Sequence, residues 1–173
     1  MTKDDLPFMP PFFDRYINLT EGDFLESLKK YSPAVVFKDT DQLLLLGDRV
    51  YEPGKWTVKD ILQHCIDTER VMAYRAMAIA RGENQALPGY DENLYAENTG
   101  ASLRSVHDLM EEFIAVRRTT QILFKYMDNS ALLREGNANG TVITPLALAF
   151  VIAGHAIHHQ RILKERYYPI LGH

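Results

Sequence analysis

The chain is predicted to be all-α, a four-helix bundle, and three observations carry that expectation. Apolar residues recur at helical spacing over long stretches bounded by helix-start and helix-stop chemistry. Strand-like alternation is almost absent. At 173 residues the chain suits one domain with a sizeable core, which four helices of roughly 10 to 25 residues would fill.

Residues 1–20 form an N-terminal arm, and residues 21–173 form the bundle domain. The arm holds Pro7, Pro10 and Pro11 among Phe8, Phe12 and Phe13. Prolines at this density disfavour a helix, so the arm should run extended and pack through its aromatics. A first helix is expected after Thr20, with Glu21 and Asp23 suiting its positive start, to about Tyr31. Ser32-Pro33 is a break and restart, serine fitting the N-cap and proline the first helical position. A short helical piece follows through Leu43 to Leu46, and Tyr51-Glu52-Pro53-Gly54-Lys55 is a turn.

Thr57 opens the clearest helix, paired with Asp60 in a capping-box pattern. No Pro or Gly interrupts residues 58–81, and Gly82 stands where a helix-ending glycine belongs. Its inward phase carries Ile61, Cys65, Thr68, Met72 and Ala76, with His64 alongside. Residues 83–100 read as a long loop containing Leu87-Pro88-Gly89-Tyr90-Asp91-Glu92-Asn93, and loops of that length are often functional. Ser102 is the expected N-cap of a third helix over 103–127, with the stripe Val106, Met110, Phe113, Arg117, Thr120, Phe124 and Met127. Residues 134–142 form a turn-rich connection. Thr144-Pro145 starts the fourth helix, which runs to about Tyr168, where Pro169 stops it.

Composition narrows the function. The chain is 46% hydrophobic and 24% charged, with a formal net charge of −4 and no basic stripe, which argues against nucleic-acid binding. A single cysteine, Cys65, excludes an internal disulfide and points to a reducing cytoplasm. Met1-Thr2-Lys3-Asp4-Asp5-Leu6 lacks an apolar signal core, so secretion is not expected. The longest apolar run, residues 145–154, falls short of the ~20 residues of a membrane span.

Three of the six histidines stand within Gly154-His155-Ala156-Ile157-His158-His159-Gln160. His155 and His159 are one turn apart on one helix face and share it with Leu148, Ile152 and Ile162, so both point inward. Each inward imidazole must satisfy a ring nitrogen among apolar neighbours. Core histidines bonded to carbonyls would do so, and so would a metal ion. His64, inward on the second helix, supplies a third imidazole from a facing element. Three ligands leave a position open for water or substrate, as in catalytic zinc sites. Asp67 and Glu69 could orient an imidazole or serve as a base, or form a solvated face. Arg117 on an apolar stripe needs a partner; it could pair with Asp67 or Glu69, or hold a substrate carboxylate. Cys65 reads as core filler, His158 as turned to the flank, and His107 and His173 as exposed. Tyr90, Asp91 and Glu92 could close over the site.

The stretch Gly54-Lys55-Trp56-Thr57-Val58-Lys59-Asp60, followed by His64, Asp67-Thr68-Glu69-Arg70 and Ala73-Tyr74-Arg75-Ala76, resembles the DinB/YfiT-like superfamily of metal-dependent enzymes. So do Leu87-Pro88-Gly89-Tyr90-Asp91-Glu92-Asn93, Glu112-Phe113-Ile114-Ala115-Val116-Arg117, and Ala153-Gly154-His155 with His158-His159. The likeness spans roughly residues 17–168, and the first helix departs from it at Pro33 and the Leu43-Leu44-Leu45-Leu46 run. It implies a down-up-up-down bundle, a homodimer, and a divalent ion on His64, His155 and His159. Zinc or nickel is implied first, with manganese or iron as alternatives. Relatives include S-transferases and isomerases using low-molecular-weight thiols (bacillithiol, mycothiol or glutathione) and metal-dependent hydrolases.

Three functions are therefore in play. The first is a thiol-dependent S-transferase acting on small electrophiles, in which the ion acidifies the cofactor thiol. The second is a metal-dependent hydrolase. The third is a metal-binding dimeric protein without turnover. A small-molecule substrate, and neither nucleic acid nor membrane, is the expected partner of the enzymes.

Overall fold

The computed structural model describes residues 1–172, and the described residues are mostly helical. Short helices precede the bundle's long members: Asp14–Ile17 (α1), Phe24–Lys30 (α2), Pro33–Val36 (α3) and Thr40–Leu46 (α4). The long ones are Val58–Ala80 (α5), Val106–Lys125 (α7) and Pro145–Ile162 (α9). Between them lie Glu92–Asn98 (α6), Asn129–Leu132 (α8) and a two-stranded hairpin of Gly136–Ala138 (β1) and Thr141–Ile143 (β2). None of the described helices is long and apolar enough to cross a membrane.

Side-chain pairs between helices give their directions. Lys59 donates to the Ser102 carbonyl, Arg104 to Gln63, and Arg70 to Glu112, so positions on α5 and α7 rise together and the two run parallel. Across α2 and α7 the order reverses. Phe24 meets Phe124, and Gln121 donates to the Leu28 carbonyl. Across α5 and α9 it reverses too: His64 lies against His155, and Tyr167 just past α9 donates to the Trp56 carbonyl. With α2 taken as down, the order is down, up, up, down.

Capping chemistry explains most boundaries. Thr57 and Asp60 form the expected reciprocal box at α5, and Gly82, at φ +91°, ends it. Thr144 caps α9, with Pro145 at its first position. Pro33 starts α3 as expected, whereas α2 starts later than expected: Asp23, expected in its first turn, is its N-cap, accepting from the Leu25 amide.

Several elements differ from expectation. α7 begins at Val106, because Ser105 with Asp108, and not Ser102, makes the capping box; residues 101–103 form a 3-10 turn instead. The loop of residues 83–100 contains α6, whose N-cap Asp91 accepts from the Asn93 and Leu94 amides. Residues 134–142 contain the hairpin, turned at Asn139 (φ +54°) and Gly140 (φ +81°), a type I′ pattern. The arm is not wholly extended: after Pro11 it closes the turn α1. Past Ile162 the fourth helix widens into a π turn, Leu163–Tyr167, then tightens into a 3-10 turn, Tyr168–Leu171, that includes Pro169.

α9 is buried on nearly all sides from Pro145 to Ala156, as expected of a helix apolar all round. The arm supplies its outer cover. A Cβ at Gly154 would overlap the Tyr16 carbonyl, so only glycine lets α1 lie this close. Residues Leu146 to Ala153 belong to one apolar cluster, and Ala156 and Leu163 to a second. His155 stands at the changeover between them.

Candidate metal centre

Because α5 and α9 are antiparallel, His64, in the second turn of α5, faces the last two turns of α9. His155 and His159 are both buried, and His64 is partly so. The Nε2 atoms of His64 and His155 are 3.2 Å apart, and those of His159 and His155 are 3.1 Å apart. Two imidazole nitrogens each about 2.0–2.1 Å from one tetrahedral zinc stand about 3.3 Å from each other. The observed spacing fits that separation. A neutral imidazole has one N–H, so three converging Nε2 atoms cannot all satisfy one another by hydrogen bonds. One cation receiving all three lone pairs does satisfy them. Among the described residues these three are the one group of potential ligands close enough to hold an ion, their donor atoms within 4.8 Å.

Electrostatics keeps the trio in ligand form. Burial lowers the pKa of His64 to about 4. Burial, then mutual repulsion with the neighbouring imidazoles, holds His155 and His159 well below the ordinary value. All three are therefore neutral at pH 7, as metal binding requires.

The trio opens onto a cavity of about 570 Å³ between α5, α9, the arm, the hairpin and the loop before α6. Trp56 packs its ring 4.8 Å from that of His64, and Tyr16 sets its ring edge-to-face against His155 and His158. Thr68 and Tyr90 share a 2.6 Å hydrogen bond that ties the loop to α5. Burial raises the pKa of Tyr16 and Tyr90, so both phenols stay protonated. His158 lies at the cavity flank, half-buried, its pKa lowered by desolvation and then by Arg15. Glu92 also lines the cavity and Asp91 caps α6 beside it.

The structure does not bring Asp67, Glu69 or Arg117 to the histidines. Glu69 and Arg117 are buried and paired with each other: Arg117 Nε and Nη2 donate to the two Glu69 oxygens at 2.8 and 2.9 Å. Arg117 Nη1 also donates to the Tyr31 carbonyl at 2.6 Å. Asp67 accepts from Gln63 and faces Arg70 on the α7 side. None of the three lines the cavity. Of the remaining expectations, Cys65 is core, its thiol pKa pushed up by burial, and His107 is exposed. His173 lies outside the described residues.

Arg75 escaped the reading of individual residues. It is only 4% exposed and lines the cavity. Its signal was its phase: 64, 68, 72 and 75 follow one face of α5.

Fold and site together define a class: a helical bundle with a three-histidine centre, fit for a divalent ion, on the wall of a cavity open to solvent. The chain belongs to the DinB superfamily, whose family model matches residues 22–163. It is similar to the solved structure of YfiT from Bacillus subtilis, described as a probable metal-dependent hydrolase with an unusual four-helix bundle topology. The two share 18% identity over 98% of this chain and 90% of YfiT, with a TM-score of 0.69. Among curated proteins none matches this sequence.

Proposed function

We propose that this protein is a divalent-metal-dependent enzyme that hydrolyses a small molecule in the cavity beside His64, His155 and His159. One observation carries the reading: three neutral Nε2 atoms, from buried His155 and His159 and partly buried His64, converge at ligand spacing on the wall of an open cavity. A closed structural site would have four protein ligands. The description of YfiT supports hydrolysis as the reaction.

A divalent ion held by the three Nε2 atoms would supply Lewis-acid chemistry, acidifying a water or thiol and polarising a carbonyl. The chain's own groups do the rest. Trp56 and Tyr16 wall the imidazoles from bulk water, and the Thr68–Tyr90 bond holds the loop over the cavity. His158, neutral because it is partly desolvated, and Glu92 are the lining groups able to accept a proton. A second reading, thiol-dependent S-transfer, rests on the cavity's scarcity of carboxylates: Glu92, exposed at the rim, is the one that lines it. A thiol acidified by an ion needs no general base beside it.

The test begins with metal content by elemental analysis of the protein and of its His155→Ala and His159→Ala variants. The expected result is one divalent ion per chain in the parent and loss of it in both variants, with helical circular dichroism retained. Unchanged metal content in both would overturn the ligand assignment. A panel of esters and amides against thiol-conjugation substrates on the loaded protein then separates the readings.

A further inference from the structure

We propose that the Arg75 guanidinium is the cavity's anion anchor, so that the enzyme takes an elongated small molecule with a carboxylate or similar anion at the end remote from the three histidines. This rests on the metal reading above and names the substrate class for the same site.

Arg75 is a buried cation without a counter-charge. Its Nη2 donates to the Pro88 carbonyl at 2.6 Å, and its Nη1 approaches the Met72 sulfur at 3.7 Å. Among the described residues no carboxylate forms an ion pair with it, whereas Arg117, deeper still, has Glu69. A guanidinium has five N–H donors in a planar fork that matches a carboxylate or phosphate. One neutral carbonyl and one thioether leave most of that fork unused. Burying such a charge is costly unless it is paired, and Arg75 borders the cavity, from which a partner can come.

The placement sets the ligand's shape. Arg75 lies three helical turns past His64, about 16 Å along the axis at 1.5 Å per residue. Side chains lean toward their helix's N-terminus, which brings its head back toward the histidines. Thr68 and Met72 line the floor between the two ends, and Tyr90 covers it. An occupant reaching from the imidazoles to Arg75 is therefore long and negative at its far end, its middle lying against Met72 and the mutually bonded Thr68 and Tyr90 hydroxyls.

The experiment uses paired probes that differ only at that end: the monohydroxamate of suberic acid, and the same hydroxamate with the terminal acid converted to an amide. Binding to the zinc-loaded full chain is read by fluorescence of Trp56, the chain's one tryptophan, which stands against His64. The carboxylate probe should bind about tenfold or more tighter than the amide, the advantage of a charge-assisted bidentate contact. In Arg75→Gln that preference should fall to about onefold, with the amide probe's affinity kept; Arg75→Lys should keep part of it. Equal affinities in the parent, or a preference unchanged in Arg75→Gln, overturn the proposal and leave Arg75 as the pin for Pro88. Octanoate and octanamide, which carry no metal-binding head, repeat the comparison on metal-free protein. A carboxylate preference there upholds Arg75 whether or not the three histidines hold an ion, and the metal content of the His155→Ala and His159→Ala variants decides that separately. If Arg75→Gln does not fold, the parent's two ratios decide alone.

Discussion

Removing the negative charge of Glu69 should cost this fold a large part of its stability while leaving its metal binding intact. The perturbation is Glu69→Gln, which keeps the shape and removes the charge. In the folded chain Arg117 is 1% exposed and Glu69 3% exposed, so water compensates neither. The guanidinium binds α5 through Glu69, the end of α2 through the Leu28 and Tyr31 carbonyls, and α9 through the Ile152 carbonyl. It therefore joins all four bundle helices at one point. Stripping one partner from a buried pair costs about 3–5 kcal/mol, because the surviving charge is left uncompensated. The amide can still accept one hydrogen bond, so the lower end, about 3 kcal/mol, is expected. Against a total of about 5–15 kcal/mol that loss is severe.

Urea unfolding followed by circular dichroism reads the effect. With a slope of about 2 kcal/mol per molar, the midpoint should fall by about 1.5 M. The double variant Glu69→Leu with Arg117→Met removes both charges and should lose less than either single change. It should not recover fully. Tyr31 loses the donor to its carbonyl, although Leu28 keeps Gln121. A midpoint unmoved by Glu69→Gln, or weaker metal binding at unchanged stability, would refute this account and return the pair to the site.

Two further outcomes follow from the site's surroundings. Gly154→Ala puts a methyl group against the Tyr16 carbonyl, a backbone atom that cannot rotate away. It should cost about 1–3 kcal/mol, the usual range for overpacking. It should also lift the arm, so that diethyl pyrocarbonate modifies His155 faster in the metal-free protein; an unchanged melting temperature contradicts this. The metal-free protein should also lose stability in mild acid. His64, His155 and His159 have folded-state pKa values depressed by burial, His64 to about 4. Below about 6.5 the unfolded chain then binds more protons than the folded one. The stability these neutral imidazoles contribute is present above that value and is lost as pH falls toward the folded pKa. The slope reaches about 1.4 kcal/mol per pH unit for each imidazole. Urea midpoints between about pH 7.5 and pH 5 check it, and a flat profile contradicts it.

Much of this was legible because it is local. A Thr-Asp pair, a Thr-Pro pair and a glycine after a long apolar period specify helix ends through bonds a few residues apart, and α5 and α9 begin where those residues stand. Two imidazoles one turn apart declare a shared face for the same reason. The start of α7 was misplaced because Ser102 and Ser105 are equally good caps in isolation; only Asp108, three residues after Ser105, selects between them. The hairpin was missed although Asn139-Gly140 is a strong turn signal, since its strands are three residues each and show no alternation. Long-range pairing was least legible. Asp67, Glu69 and Arg117 are chemically plausible site residues, but 67 and 69 fall off the face of α5 that carries His64, and Arg117 stands on α7, which packs on that other side. Arg75 was the opposite case, ordinary in composition and informative only once its lack of a carboxylate partner was visible.

The charge of the cavity connects these findings. Three neutral imidazoles bring no negative charge to a divalent cation, unlike sites built with carboxylates or thiolates. The ends of the helices nearly offset each other there: His159 lies in the last turn of α9, where the field favours a cation, but His64 is near the start of α5, where it does not. The cavity wall adds Arg75 in the interior and Arg15 at the mouth, stacked 3.8 Å over the Phe12 ring, against a single exposed Glu92. A cavity so walled is deficient in negative charge once an ion is held, and the chain's overall charge of −4 does nothing to correct it locally. Compensation must then enter with the occupant. An anionic molecule is attracted at both ends of the cavity, whereas a neutral analogue of the same shape gains only the uncharged contacts between them.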